Sequence, residues 1–265
     1  MKCQACAREV AAKEPRCPYC KRWGTIQRWQ RLSEVSCAEV SRVACGVREL
    51  DELLGGGWVP GCVYLLSGPP GCGKSTLALE LATRIPALYA VAEESASAVR
   101  MRVGRLGEVG AAVGRVLIGE VGEVEEIADV PAGVGLVVID SIHRLRTPEV
   151  AGAAGSNGQL LHAVEALVGL ARRSKLIVLV IGHVNRDGEA SGTLGLEHDV
   201  DVLMEMSRAP VQGEPGRLRV RKNRHGPAPV ELAVEITEGG LRYGGETQSR
   251  EDPSRPEANQ PRPPA

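Results

Sequence analysis

Five short apolar runs punctuate the chain between residues 62 and 182: CVYLLSG (62–68), ALYAVA (87–92), RVLIG (115–119), GLVVID (135–140) and KLIVLVIG (175–182). Each is continuously hydrophobic rather than alternating, the pattern of parallel strands covered on both faces. Between them, STLALELATR (75–84) and GQLLHAVEALVGLARRS (158–174) read as helices. Strand and helix alternate, which implies an α/β fold with a mainly parallel sheet. After residue 200 the rhythm changes. DVLMEMS, RLRVRKN and VELAVEI read as strands joined by turns, an antiparallel extension at the sheet edge.

The flanks differ from this middle zone. Residues 1–30 are Cys-rich and poor in core-forming side chains, 31–45 read as a linker, 46–243 carry the strand and helix pattern, and 244–265 are Pro-rich and polar. That last stretch has almost nothing to bury and reads as a disordered tail.

Composition narrows the classes. Hydrophobic residues are 43% of the chain, but aromatics only 3% and Phe is absent, so the core must be built from Val, Leu, Ile and Ala. A net charge of -1 argues against a basic nucleic-acid coat protein. Yet RLRVRKNRHG (217–226) packs five basic side chains into eight positions. No apolar run approaches the roughly 18 residues of a membrane span, and the start, MKCQACAREV, has no apolar signal segment. The expectation is a cytoplasmic protein without a membrane partner. Four of the eight cysteines sit in two tight pairs and Cys37, Cys45, Cys62 and Cys72 are scattered, which is not a disulfide framework.

The first strand runs into Gly68-Pro69-Pro70-Gly71-Cys72-Gly73-Lys74-Ser75-Thr76 and then a helix. This is G-x-x-x-x-G-K-[ST] in the strand–loop–helix setting it requires. Glycines let backbone N–H groups converge on phosphate oxygens, and the helix start adds its dipole. Lys74 would reach the β- and γ-phosphates of ATP, and Ser75 would offer its hydroxyl to Mg²⁺. A Gly-rich turn that binds nothing is the bland alternative. GLVVID ends in Asp140, placed to hold the Mg²⁺ shell. A strand-ending Asp alone is weak, because Asp often ends strands at turns. The strand in ALYAVAEES ends with Glu93 and Glu94; one carboxylate could polarise the attacking water, while acidic residues and Ser95 also suit a helix start.

Cys3-x-x-Cys6 and Cys17-x-x-Cys20 lie ten residues apart. Two such pairs supply four thiolates for tetrahedral Zn²⁺, whose binding would be the main folding energy of so small a module. The alternative is a redox pair or chance cysteines.

The order of motifs, CxxC…CPYCKRWGT, LDELLGGGWVPGCVYLLSGPPGCGKST, ALYAVAEES, LVVIDSIHRL, GHVNRDG…LEHDVD and RKNRHG, resembles the bacterial RadA/Sms family. The resemblance spans about residues 1–243. It implies a RecA-like P-loop ATPase core preceded by a small four-Cys zinc-binding module. It implies DNA repair and recombination activity on single-stranded or branched DNA, in a homo-oligomeric ring, with a recombinase or helicase partner as a candidate for the zinc module. By position, Cys3, Cys6, Cys17 and Cys20 match the zinc ligands, Lys74 and Ser75 the phosphate loop, Asp140 the metal-binding Asp and Glu93 the catalytic Glu. His183 matches a residue linking γ-phosphate to a DNA loop. Lys222 and Arg224 match a K-N-R-F-G motif resembling a finger that reaches a neighbour's nucleotide. Arg144, Arg146 and Arg186 are the candidate DNA contacts, with solvated surface as their alternative. The chain departs from the family at His225, where the motif has Phe, and at Leu194, where a basic residue is usual. A polar tail stands where the family continues into a Lon-protease-like domain. Two other readings keep the ATPase fold: a regulatory ATPase of the KaiC kind, and a nucleotide-controlled adaptor without motor activity.

Overall fold

The computed structural model describes residues 3, 5–10, 16–22, 40–182, 196–211 and 214–244. Contacts divide the chain into two compact units, residues 1–40 and 41–265.

In the larger unit nine strands form one sheet: β1 (Val63–Ser67), β2 (Ala87–Val91), β3 (Val116–Glu120), β4 (Leu136–Asp140), β5 (Ile177–Ile181), β6 (Val202–Ser207), β7 (Gly216–Asn223), β8 (Val230–Thr237) and β9 (Gly240–Tyr243). Their order is β3-β2-β4-β5-β1-β6-β7-β8-β9. The pairs from β3 to β6 are parallel and those from β6 to β9 antiparallel. The antiparallel extension expected after residue 200 is therefore present, with β9 as a further strand too short to read in advance.

Two helices carry the main packing, α2 (Lys74–Arg84) and α4 (Asn157–Ser174), joined by the shorter α1 (Arg48–Leu53), α3 (Ala96–Val103) and α5 (Leu196–Asp199). Strands β1, β4 and β5 are buried along their whole length. Alternate residues still separate by face. Tyr64 and Leu66 join a cluster with Leu77 and Leu81 of α2, while Val63 and Leu65 join Leu160, Val164 and Leu167 of α4. The buried α4 residues fall at helical spacing, so one stripe of that helix faces the sheet. Each fully buried Leu or Val stabilises by about 1.5–3 kcal/mol relative to exposure. With no Phe available, the largest core ring is Trp58, set edge-on to Tyr64 with centroids 4.5 Å apart.

One strand departs from the expectation of cover on both faces. β3 is the outermost parallel strand, and its Leu117 and Ile118 are exposed. An apolar run reports strand propensity, but its place in the order decides whether anything covers it.

The basic stretch lies on β7. Arg217, Arg219 and Arg221 point outward while Leu218 and Val220 are fully buried. Arg217 pairs with Glu231 and Arg221 with Glu205. Such exposed pairs are worth about 0.2–1 kcal/mol each, so the alternation marks a solvated face.

Candidate active site

The loop between β1 and α2 takes its shape from glycines at positive φ. Gly68 (φ 146°), Gly71 (φ 74°) and Gly73 (φ 99°) turn the backbone where L-residues are strained. Gly68 also passes so close to the Met206 carbonyl, 2.1 Å from where a Cβ would stand, that no side chain fits. Lys74, the first residue of α2, is 5% exposed. Its Nζ donates to the carbonyls of Gly68 and Pro69, at 2.8 and 2.9 Å. Burial lowers its pKa, opposed by the negative charges of Asp140 and Glu93 and by Cys72. The ammonium is thus folded back onto its own loop, poised to exchange two carbonyls for phosphate oxygens.

Strand order brings the acidic groups to this loop. β4 lies beside β2, with Val91 opposite Asp140, so Glu93 and Asp140 leave the sheet at the same carboxyl edge. Buried Asp140 accepts a 2.7 Å hydrogen bond from the hydroxyl of Tyr89, itself wholly buried. That negative partner and burial together raise the Tyr89 pKa, with burial the larger cause. Glu93 accepts from the Ser141 hydroxyl. Glu94 turns away and pairs with Arg102 of α3 through both carboxylate oxygens, at 2.7 and 2.8 Å. The helix cap is Ser95, whose hydroxyl accepts from the Ala98 N–H. The two adjacent glutamates therefore have separate surroundings.

A cavity of about 350 Å³ lies over the loop. Its walls bring together Pro70, Gly71, Gly73, Lys74, Ser75, Thr76, Glu93 and Asp140, all expected from the sequence, and add Arg102 and Ile236. Arg208 caps the loop from β6's end by donating to the Pro70 carbonyl. No local motif marks these last three; only the fold delivers them. The arrangement suits a nucleotide's phosphates beneath an α-helix N-terminus, with a hydroxyl and a buried carboxylate at hand for Mg²⁺.

Lys222 and Arg224 are elsewhere. Val202 at the start of β6 pairs with Asn223, whereas Ser67, next to the phosphate loop, pairs with Glu205 near that strand's other end. The two cations thus lie at the sheet edge opposite the cavity. Lys222 donates to the carbonyls of Glu197, His198 and Val200. Burial, the larger cause, and neighbouring Arg224 lower its pKa. Arg224 pairs with Asp201 at 3.0 Å and donates to the His198 carbonyl. Within one chain neither reaches the phosphate loop. Arg144 and Arg146 are exposed just beyond the carboxyl end of β4. His183, Arg186 and Leu194 lie outside the described residues.

In the smaller unit Cys3, Cys6, Cys17 and Cys20 place their four sulfurs within 4.8 Å of one another. Cys3–Cys20 and Cys6–Cys17 are 3.6 and 3.7 Å apart, close to the edge of about 3.8 Å that a tetrahedron of Zn–S bonds requires. The two cysteine pairs share one turn. Ala7 and Lys21, both at positive φ, donate to the Cys3 and Cys17 carbonyls, and Cys3 and Cys17 donate in return to Arg8 and Arg22. Backbone N–H groups of Cys20 and Tyr19 lower the Cys17 pKa against the opposing effect of burial, the Cys20 amide most. The donor set fits a metal ion, and a thiolate tetrahedron suits zinc.

A family model described as an AAA domain matches residues 30–189. The chain belongs to the AAA domain family. Within it, this AAA protein is similar to the DNA repair protein RadA of Mycobacterium tuberculosis, with 36% identity over 86% of this chain and 52% of the relative. RadA of Haemophilus influenzae is 33% identical over 91% of this chain and 58% of that protein. The chain spans about half the length of the curated relatives it matches. These matches bear out the RadA/Sms resemblance carried by the six ordered motifs. Among solved structures, the RadB recombinase superposes with a TM-score of 0.58 at 24% identity, covering 75% of this chain and 97% of that one. A KaiC-like protein from Pyrococcus horikoshii gives 0.64 at 20%, covering 78% and 100%. The AAA core thus has the RecA-like α/β fold. Among the described residues no helix is long and apolar enough to cross a membrane.

Proposed function

We propose that the protein is a DNA-dependent ATPase of repair and recombination, hydrolysing ATP to move on or remodel single-stranded or branched DNA. The observation that carries this reading is a cavity whose walls bring together Lys74, Ser75, Glu93 and Asp140. The names of its RadA relatives support the DNA-repair setting.

ATP's phosphates lie on the backbone N–H groups of the loop, and Lys74 exchanges the Gly68 and Pro69 carbonyls for β- and γ-oxygens. Ser75 and Asp140 would hold Mg²⁺, which neutralises charge building on the phosphates. Glu93 orients the attacking water and accepts its proton, held toward the cavity by Ser141. Asp140 is kept in place by Tyr89. Lys222 and Arg224, at the far edge of the sheet, act in the cavity of the next subunit of a ring. Their present bonds to the Glu197–Asp201 segment hold that finger until a neighbour's γ-phosphate competes. Exposed Arg144 and Arg146 take DNA phosphates, together with Arg186, and a ring multiplies the few cations of each subunit. His183 links the γ-phosphate to this DNA face. The four-cysteine module carries zinc and docks a recombinase or helicase partner. The whole operates in the cytoplasm.

The test is the ATP hydrolysis rate with and without single-stranded DNA, on a sample sized by mass photometry. Stimulation by DNA and an oligomeric mass are expected. Hydrolysis indifferent to DNA, with no DNA binding at low salt, would discard the motor and favour a regulatory ATPase.

A further inference from the structure

At the sheet edge away from the cavity, three donor side chains from three chain segments converge. Cys62 immediately precedes β1, Asp201 immediately precedes β6, and His225 follows β7 by two residues. These strands are neighbours, with Tyr64 opposite Val202 and Val202 opposite Asn223, so the three ends meet. One Sγ, one carboxylate oxygen and one imidazole nitrogen lie within 4.8 Å of one another. Cys62 and Asp201 are each 5% exposed, and His225 is half-buried.

We propose that Cys62, Asp201 and His225 form a second transition-metal site, of the zinc class, distinct from the four-cysteine cluster. A tetrahedral ion with Zn–S near 2.3 Å and Zn–N near 2.0–2.1 Å sets its S···N edge at about 3.5 Å. Closing that edge from the 4.8 Å within which the donors lie needs a contraction of up to about 1.3 Å. The half-exposed imidazole of His225 can supply it by turning, because its backbone is already anchored. Its N–H donates to Asn223 Oδ1 at 2.9 Å, and its carbonyl accepts from the Arg42 guanidinium. Asp201 is oriented as a ligand should be: Oδ2 accepts from the Val63 N–H at 3.0 Å, leaving a lone pair for the ion. Sulfur, nitrogen and one oxygen select zinc-like ions over Mg²⁺ or Ca²⁺, which favour oxygen alone. Three protein ligands leave a fourth position for water.

The ion has a competitor. Arg224 holds Asp201 Oδ1 at 3.0 Å, and burial first and Asp201 next push the Cys62 thiol up to about 11 against the charges of Arg172, Arg224 and Lys175, so the ion must also displace the thiol proton. A thiolate and a carboxylate balance the ion's two charges, so metal binding replaces Arg224 as the main counter-charge of Asp201. The residue at which the sequence leaves the K-N-R-F-G motif is thus the one that completes the donor set. If Arg224 acts in a neighbour's cavity, as proposed above, the metal sets its freedom to do so. The site itself is tested by metal counting, which is independent of that role.

The probe is cobalt(II), added to the full chain with Cys3, Cys6, Cys17 and Cys20 all changed to Ser. One equivalent per chain with thiolate-to-cobalt absorption is expected, and Cys62→Ser or His225→Phe should each abolish it. No uptake by the four-serine chain, or uptake unchanged by His225→Phe, overturns the proposal. Should the four-serine chain fail to bind nucleotide and so report misfolding, the comparison moves to the intact protein and to His225→Phe after zinc loading and gel filtration. One zinc fewer per chain in the variant supports the site, and equal zinc contents overturn it.

Discussion

Replacing Tyr89 with Phe removes one oxygen atom from the interior and tests how Asp140 is held. The ring stays, packed on β2 opposite Val138. What is lost is the 2.7 Å hydrogen bond from its hydroxyl to Asp140 Oδ2. Tyr89 is 0% exposed and Asp140 5%, so water has no ready path to substitute. A hydrogen bond to a charged group contributes a net stabilisation of about 1.5–3 kcal/mol. A unit of this size shifts its Tm by about 2–4 °C per kcal/mol, so the variant should melt about 3–12 °C lower. Calorimetry measures that shift. Titrating Mg²⁺ into the hydrolysis assay measures the functional consequence: the half-saturating Mg²⁺ concentration should rise, because Asp140 loses the group that aims it, while binding of Mg²⁺-free nucleotide stays unchanged. Tyr89 acts here as a positioning residue. A Tm within about 1 °C of the parent, with unaltered Mg²⁺ dependence, would mean that the Tyr89 hydroxyl does not hold Asp140.

Three further outcomes follow. Lys222→Ala should leave nucleotide binding intact while turnover collapses by one to several orders of magnitude, as for other groups supplied in trans to transferring phosphates; wild-type turnover would remove Lys222 from the mechanism. Cys17→Ser, or chelation, should unfold the four-cysteine unit and release the zinc proposed for it, seen as lost chemical-shift dispersion in residues 1–22, while the melting of residues 41–265 is little changed. The buried Cys45 thiol has its pKa raised, by burial first and then by Asp51, and Tyr64 and Tyr243 are raised by burial as well. A raised acid stays protonated when folded but ionises when unfolded. Its stabilising share is therefore complete below the unfolded thiol value of about 8.5 and is lost as pH climbs above it. The denaturant midpoint should fall from about pH 8.5 upward, and less steeply in Cys45→Ala.

Much of the site could be read along the chain. The phosphate-loop motif needs only its own glycines, lysine and hydroxyl in a row, and in the structure that row lies between β1 and α2 with Gly68, Gly71 and Gly73 at positive φ. The cysteine pairs likewise carry their geometry locally, in two repeats of one backbone turn. Other assignments were out of reach. The residues of ALYAVAEES offer two adjacent carboxylates, of which the family resemblance singles out Glu93, and the packing of α3, which puts Arg102 against Glu94, gives the two their separate surroundings. RLRVRKN shows its alternation openly, but its partners Glu205 and Glu231 come from strands on either side.

Short segments carry the elements and their local chemistry: parallel strands, the phosphate-loop motif and a four-cysteine cluster. Propensity, periodicity and turn geometry act over a few residues, so they are visible in a single chain. Which distant residues meet is settled only when the sheet assembles. Ser141 reaches Glu93 across 48 positions and Tyr89 reaches Asp140 across 51, because β4 lies beside β2. Cys62, Asp201 and His225 meet because β6 lies between β1 and β7. Strand order is set by the burial of whole faces against α2 and α4, a property of the assembled sheet that no single segment contains.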